Sequence, residues 1–224
     1  MSSNLLAALV LAFFATESAE KPPESTPAPR HVVDASTGTR FDVTTRVGDT
    51  TYRCIGAGVR KVLFFKAYAA AFCIDQKRYD DVVGGYVAEK HPGKSGAELR
   101  KALERDSAFF EHLEAARADK LVIMQLVRDI SRDRIASAFR DSLGEVLPED
   151  RVERLIATIP GDGKDGQRIL LHTKGSVLVI DISGQANRVD DDLISRKLWR
   201  VWLGPGSVTP SLKESIARTV AENG

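Results

Sequence analysis

The sequence predicts an α+β domain: a large antiparallel β-sheet with a layer of helices packed on one side. Strand-like runs are concentrated in residues 39–74 and 168–182, where turn residues join short alternating or apolar segments. Helical periodicity dominates residues 99–159 and 193–220. Strands and helices that come in groups, without regular strand–helix alternation, are typical of α+β domains rather than of parallel α/β sheets.

The first strands are expected on either side of a tight turn. Apolar and polar residues alternate over Thr39–Val47, and Gly48-Asp49 separates this run from Thr51–Ile55. Two β-runs around a Gly-Asp turn predict a hairpin. The next segment, Val62–Ile74, is long, apolar and aromatic, which predicts one central strand covered on both faces.

Amphipathic helices are expected after this strand. Residues 99–113 place their apolar side chains on one side of a charged segment, with a break near Asp106-Ser107. Lys120–Val127 is an apolar strand, Ser131 can cap the helix that follows it, and Pro148-Glu149 opens another helix.

A further hairpin and two helices are predicted towards the C-terminus. Arg168–Thr173 and Ser176–Ile182 flank a turn at Lys174-Gly175. The apolar face of residues 193–202 predicts a helix that stops at Gly204. Thr209-Pro210 has the N-cap and first-turn pattern of a last helix.

Residues 1–19 have the pattern of a secretory signal peptide. Leu5–Ala15 is an uninterrupted apolar run, too short to span ~30 Å of hydrocarbon as a helix but suited to the core of a signal peptide. An uncleaved anchor and a misassigned start are the alternatives, because no lysine or arginine precedes the run. We expect an exported protein, periplasmic or secreted, with no stable membrane span in the mature chain. Residues 20–36 are expected to form a disordered Pro-rich linker, and residues 37–224 the domain.

The composition argues against several classes of function. The net charge is +1 and the basic residues are scattered, so no nucleic-acid partner is expected. The four histidines are far apart and the two cysteines form no CxxC pair, so no metal or other cofactor is expected. Cys54 and Cys73 either form a disulfide, which export would allow, or fill strands as small apolar side chains.

Three motifs that could suggest other chemistry have simpler explanations. Gly56-Ala57-Gly58 does not continue into a dinucleotide fingerprint, since Lys61 occupies the place of the third glycine. The loop at residues 161–166 lacks the ending of a phosphate loop. Asp190–Asp192 is expected at a helix start, where acidic side chains offset the helix dipole, rather than around a metal.

Four stretches of the chain follow one another in a recognisable order. They are Gly56-Ala57-Gly58-Val59-Arg60-Lys61 with Phe65-Lys66-Ala67-Tyr68-Ala69, then Leu126–Ser131, then the hairpin Arg168–Ile182, and then Leu198–Gly204 with Val208–Lys213. Together they resemble the chalcone-isomerase family, in its bacterial and fatty-acid-binding branches, over roughly residues 38–220. The resemblance implies a large antiparallel sheet, a helical layer and a ligand cleft between them.

The resemblance implies two functions. One branch cyclises chalcones to flavanones, with an arginine on the substrate and threonine, tyrosine and asparagine in a hydrogen-bond network. The other branch binds fatty acids, with an arginine and a tyrosine on the carboxylate. Arg60 matches the family arginine, and Tyr68 stands where the enzymes have threonine, as in the fatty-acid-binding branch. Arg134 and Asp141 stand near the enzymes' tyrosine and asparagine, so the catalytic network is incomplete here.

An anionic ligand in an apolar cleft requires a fixed cation. Arg60 would supply a permanently charged, bidentate donor and Tyr68 a neutral hydrogen bond; a structural ion pair and an ordinary core tyrosine are the alternatives. In one unbroken strand these two residues would lie ~26 Å apart, so a joint clamp requires a turn or bulge just after Arg60. Arg128 is a further candidate cation, unless it pairs with Asp129. The expected apolar walls are Phe64, Phe72, Trp199 and Trp202.

These residues favour a non-catalytic binder of a fatty acid or similar small apolar carboxylate. An isomerase of the chalcone-isomerase type, acting on an enone, is the first alternative. A structural or partner-binding protein whose cleft is filled by side chains is the second, and it predicts that no cavity is present.

Overall fold

The computed structural model describes residues 31–223, which form a seven-stranded antiparallel sheet, a separate pair of short strands and eight α-helices. The strands of the large sheet are adjacent in chain order, from β3 to β9. The strands are β1 (His31–Val33), β2 (Arg40–Asp42), β3 (Thr44–Val47), β4 (Thr50–Val62), β5 (Phe65–Asp75), β6 (Lys120–Leu126), β7 (Arg168–Lys174), β8 (Val177–Ile182) and β9 (Gln185–Asp190).

The helices fall into three groups along the chain. One group lies between β5 and β6, one between β6 and β7, and one after β9. They are α1 (Gly85–Lys90), α2 (Gly96–Glu104), α3 (Ser107–Ala115), α4 (Arg132–Leu143), α5 (Glu149–Ala157), α6 (Asp192–Lys197), α7 (Arg200–Leu203) and α8 (Pro210–Asn223). Their apolar faces share one large core with the facing side of the sheet. The α+β class predicted from the grouping of elements is confirmed.

Helix α8 packs directly on β4, and the Gly56-Ala57-Gly58 motif allows this contact. A Cβ atom at Gly58 would lie 2.4 Å from the Leu212 backbone nitrogen, and one at Gly56 would lie 2.7 Å from the Ile216 nitrogen. Two serines of α8 then accept hydrogen bonds from β4: Ser215 from the Ala57 N–H and Ser211 from the Val59 N–H, both at 3.1 Å. The two glycines therefore allow α8 to pack closely on β4, and the two serines bind N–H groups of β4 that another strand could otherwise pair with.

The predicted central strand Val62–Ile74 is interrupted by a hairpin turn. Strand β4 continues to Val62, Leu63 and Phe64 form a two-residue loop, and β5 begins at Phe65. The prediction of one strand was wrong because neither loop residue has turn chemistry. At the other end of the hairpin, Cys54 and Cys73 are directly opposite and form a disulfide bond.

The other face of the sheet carries a second, smaller core. The β1–β2 pair contributes Val32 and Phe41 to it, against residues of β4, β5 and β6. Strand β1 lies inside the predicted linker of residues 20–36, so ordered structure begins before residue 37. The apolar side chain of Val32 is buried there, which the proline-rich composition did not indicate. Residues 1–30, including the predicted signal peptide, lie outside the described residues.

Two of the predicted helix starts have side-chain caps, whereas Ser131 precedes α4 as predicted but its side chain makes no capping hydrogen bond. Asp106 lies at the predicted break between α2 and α3, where it caps α3 by accepting a hydrogen bond from the Phe109 N–H. Asp191 caps α6 through the Leu193 and Ile194 N–H groups, as the dipole interpretation expected. Among the described residues, none of the helices has the length and apolar content needed to cross a bilayer.

Candidate functional site

A cavity of about 510 Å³ lies between the sheet and helix α4. Its volume falls within the range of roughly 300–1,000 Å³ that is usual for small-molecule sites. Strands β4 to β8 form one side, and α4 with the loop at residues 159–163 forms the other. The exposed side chains of Arg128, Arg134 and Asp141 mark where it reaches solvent.

Side chains in cross-strand register build the sheet side of the cavity. Arg60, Tyr68 and Leu126 are successive partners across β4, β5 and β6. Paired residues project from the same face of a sheet, so the three side chains lie side by side. The next rows of the sheet add Met124 with Ile169 and Ile182, and Leu171 with Ile180.

The opposite side is held in place by the start of α4. Ile130 and Gly163 exchange two backbone hydrogen bonds, and the Arg132 guanidinium donates to the Ile159 carbonyl at 3.1 Å. Gly163 lies so close to the sheet that a Cβ atom would meet Leu126 at 2.4 Å. The α4 side then contributes Ile135, Ala138 and Phe139 to the cavity.

The turn at Leu63-Phe64 brings Arg60 opposite Tyr68. The two residues are direct cross-strand partners, with a register shift between Arg60 and Lys61. The turn or bulge that a joint clamp requires is therefore present, and both side chains line the cavity. The ~26 Å separation of an unbroken strand does not apply.

The Tyr68 hydroxyl is buried and available as a donor. It accepts a hydrogen bond of 3.3 Å from the Trp202 indole N–H, and it donates none of regular geometry within residues 31–223. Burial raises the pKa of Tyr68, with the positive charge of Arg60 opposing the shift in part. The Thr209 hydroxyl is a second polar neighbour, and its hydrogen-bonding effect lowers the pKa of Tyr68. This hydroxyl is fully buried and has no hydrogen-bond partner of regular geometry in the described chain. Tyr68 is thus a neutral hydrogen-bond donor beside the cavity.

Three arginines line the cavity without a carboxylate partner. Arg60, Arg128 and Arg134 make no ion pair with any described residue, and Arg128 instead stacks on the Phe65 ring at 4.5 Å. The alternative that Arg128 pairs with Asp129 is not observed, because Asp129 contacts Lys164 at 3.1 Å. Each guanidinium keeps its donors available for an anion.

The carboxylates that line the cavity are engaged with other groups. Asp129 also accepts a hydrogen bond from the Asp165 N–H, and this bond together with Lys164 lowers the pKa of Asp129. Asp162 accepts from the Arg132 N–H at 2.9 Å. Asp141 is within 3.4 Å of the Ser137 hydroxyl. None of these three carboxylates is therefore paired with Arg60.

The expected aromatic walls lie elsewhere. Phe64 is exposed at the hairpin tip, while Phe72 and Trp199 pack against each other in the core, with ring centroids 6.2 Å apart. Trp202 reaches the site only through its hydrogen bond to Tyr68. The prediction that these four residues form the cavity walls was wrong. Aromatic content does not show which side chains lie side by side across neighbouring strands.

The apolar walls come instead from aliphatic residues of β6, β7 and β8. The apolar character of these three strands was visible in the sequence. The pairing of these strands, which aligns the residues, was not.

Comparison with known proteins shows similarity in structure only. No protein-family model matches the chain, and no curated protein sequence matches it. Among solved structures, the fatty-acid binding protein AtFAP1 of Arabidopsis thaliana is similar, with a TM-score of 0.66 and 20% sequence identity over 86% of this chain and 98% of that chain. The chain therefore has the chalcone-isomerase-like fold.

Proposed function

We propose that the protein binds a fatty acid or a similar small apolar carboxylate in the cavity between the sheet and α4. The carrying observation is that Arg60, with no ion-pair partner in the described chain, lies opposite the neutral donor Tyr68 at one end of an aliphatic cavity. The similar Arabidopsis protein is a fatty-acid binding protein, which supports this ligand class.

The two parts of the cavity match the two parts of such a ligand. A carboxylate can accept from the Arg60 guanidinium and the Tyr68 hydroxyl together, and charge-assisted hydrogen bonds of this kind are the stronger ones. An acyl chain would lie along the aliphatic rows of β6 to β8, where each buried methylene contributes about 0.8 kcal/mol. Arg128 and Arg134 add positive potential at the exposed side.

Binding of palmitate and methyl palmitate to the delipidated full chain tests the proposal. Trp202 donates to Tyr68, so tryptophan fluorescence provides the readout. We expect palmitate to bind and Arg60→Gln to weaken it roughly ten- to hundredfold, the usual cost of a lost hydrogen bond to a charged group. Arg117→Gln is the matched control, because Arg117 is exposed and outside the cavity.

Methyl palmitate separates recognition of the carboxylate from binding of the chain. It should bind more weakly than palmitate and be insensitive to Arg60→Gln, because it carries no negative charge. Equal affinity for the acid and the ester, or no affinity for either, would contradict the proposal.

The isomerase alternative has less support from the site. Arg134 and Asp141 line the cavity, yet they are a cation and an acid where the enzymes have tyrosine and asparagine. Stereoselective cyclisation of a chalcone, faster than the spontaneous reaction, would favour this alternative. The filled-cleft alternative predicted no cavity, and the 510 Å³ cavity contradicts it.

We also propose that the protein is exported. The disulfide between Cys54 and Cys73 supports this, since disulfides persist in oxidising compartments. Expression with the native N-terminus in a bacterium, followed by mass measurement of the periplasmic fraction, tests it. Loss of roughly the first 19 residues is expected for a cleaved signal peptide; an intact chain retained in the cytoplasm would contradict export.

A further inference from the structure

The loop between β4 and β5 exposes four consecutive apolar side chains. The exposed fractions are 44% for Val62, 83% for Leu63, 96% for Phe64 and 57% for Phe65. We refer to these four residues as the apolar tip. Together with Val33 they are the exposed large apolar residues of the described chain. Contiguous exposed apolar surface of this kind usually marks an interaction site.

The loop keeps apolar residues where turn chemistry would favour others. Four two-residue loops join the strands of the large sheet. Three of them contain glycine: Gly48-Asp49, Gly175-Ser176 and Ser183-Gly184. The fourth is Leu63-Phe64, in which Leu63 adopts a φ of 54°. A left-handed conformation is unfavourable for leucine, so the backbone gives no reason for leucine at this position.

Basic residues flank the apolar tip. The run from Arg60 to Lys66 holds three cations and no acid. Arg128 stacks over Phe65 from the neighbouring strand end. Lys61 is exposed beside Val62. Exposed apolar side chains flanked by lysine and arginine match the interface of a bilayer that contains anionic lipids.

The apolar tip is continuous with the cavity. Val62, Leu63 and Phe65 line the cavity, together with Arg60 and Arg128, whereas Phe64 projects away from it. A tip inserted between lipid headgroups would thus place the cavity next to the acyl chains of the membrane. Neither a second copy nor another protein would require both the flanking basic residues and this continuity.

We propose that the β4–β5 hairpin docks the protein on anionic lipid bilayers, with Leu63 and Phe64 inserted and Lys61 and its basic neighbours on the headgroups. This extends the proposed function, on which it rests for the nature of the ligand. The docking surface itself can be tested without any ligand in the cavity.

Co-sedimentation with phosphatidylcholine vesicles, with or without phosphatidylglycerol, tests the proposal on the full chain. We expect binding to the phosphatidylglycerol vesicles, weakened roughly tenfold by Phe64→Asn, because an inserted aromatic ring is lost. Asparagine is tolerated in tight turns, so the fold should be kept. Lys61→Gln should cost roughly fivefold on these vesicles and nothing on pure phosphatidylcholine. Lys101→Gln, an exposed lysine of α2, is the matched control.

Several results would overturn the docking surface. Equal vesicle binding by wild type and Phe64→Asn would assign membrane binding to another part of the chain, such as residues 5–15. No binding to either kind of vesicle would exclude the surface altogether. A dimer in sedimentation velocity that is lost in Phe64→Asn, without vesicle binding, would assign the apolar tip to self-association.

Palmitate affinity separates this proposal from the proposed function. Phe64 does not line the cavity, so Phe64→Asn should leave palmitate affinity unchanged while it reduces vesicle binding. If palmitate does not bind and vesicle binding still depends on Phe64, the docking surface stands and the proposed function fails.

Discussion

The two ends of the β4–β5 hairpin belong to the same pair of strands but have different surroundings. At one end, the disulfide joins the strands and α8 lies directly on Gly56 and Gly58. At the other end, Arg60 and Tyr68 face a cavity and Leu63-Phe64 project into solvent. We call these the covered end and the open end. We therefore expect substitutions at the covered end to change stability, and substitutions at the open end to change the binding that we propose.

Gly58→Ala should have the largest effect on stability. The added Cβ would lie 2.4 Å from the Leu212 backbone nitrogen, so α8 must move away from β4. We expect a loss of about 3 kcal/mol in the free energy of unfolding, measured by chemical denaturation. Gly84→Ala is the control, since nothing lies within 4 Å of its Cβ position. Equal stability of Gly58→Ala and wild type would contradict the close helix contact.

Removal of the disulfide tests whether the covered end acts on stability alone. The double substitution Cys54→Ser and Cys73→Ser opens a loop with a sequence separation of 19, which should lower the free energy of unfolding by about 3 kcal/mol. Palmitate affinity should stay unchanged, because neither cysteine lines the cavity. Dithiothreitol should lower the melting temperature of wild type but not of the variant. A loss of palmitate affinity in the folded variant would show that the two ends are coupled.

Several turns and helix caps were predictable from the sequence, but neither end of the β4–β5 hairpin was fully predicted. The disulfide was one of two alternatives for Cys54 and Cys73, and the packing of α8 on Gly56 and Gly58 was not foreseen. The hairpin turns at Gly48-Asp49 and Gly175-Ser176, the second predicted one residue early, and caps such as Asp106 and Asp191 rest on local chemistry that a sequence displays. Leu63-Phe64 carries no such signal, so the sequence did not predict the turn that brings Arg60 opposite Tyr68. It showed only that a joint clamp by these two residues requires such a turn. Strand β9 was missed because its exposed, polar residues lack the strand pattern.

The cavity walls were missed for a related reason. Met124, Ile169 and Ile182 become neighbours through register across three strands, which depends on long-range pairing rather than on local composition.

Filling the cavity tests the open end without removing a charge. Ala138 lies on α4 and lines the cavity. In Ala138→Phe the ring should occupy space needed by an acyl chain, which weakens palmitate binding about tenfold or more, with unfolding free energy changed by less than about 1 kcal/mol. Ala157→Phe, on the exposed side of α5, is the control. Unchanged palmitate affinity in Ala138→Phe would place the ligand elsewhere.

The pH dependence of stability tests burial at the covered end. Lys120 is buried, pairs with Ile74 and donates to the Ala116 carbonyl at 2.6 Å. Burial lowers the pKa of Lys120 to about 8. Between pH 8 and the ordinary lysine value near 10.4, the unfolded chain binds more protons than the folded chain, so stability should rise with pH in this window.

The slope due to Lys120 should reach at most about 1.4 kcal/mol per pH unit. Denaturation of wild type and Lys120→Met across this window measures the difference, with Lys101→Met as the exposed control. Identical pH profiles for wild type and Lys120→Met would show that the ammonium group remains hydrated in the folded state.

A crystal structure of the complex with palmitate tests the central claim most directly. We predict density for the carboxylate within hydrogen-bonding distance of both the Arg60 guanidinium and the Tyr68 hydroxyl, with the acyl chain along Leu126, Ile169 and Ile180. A carboxylate bound away from Arg60 and Tyr68, or an acyl chain outside this cavity, would contradict the proposed function.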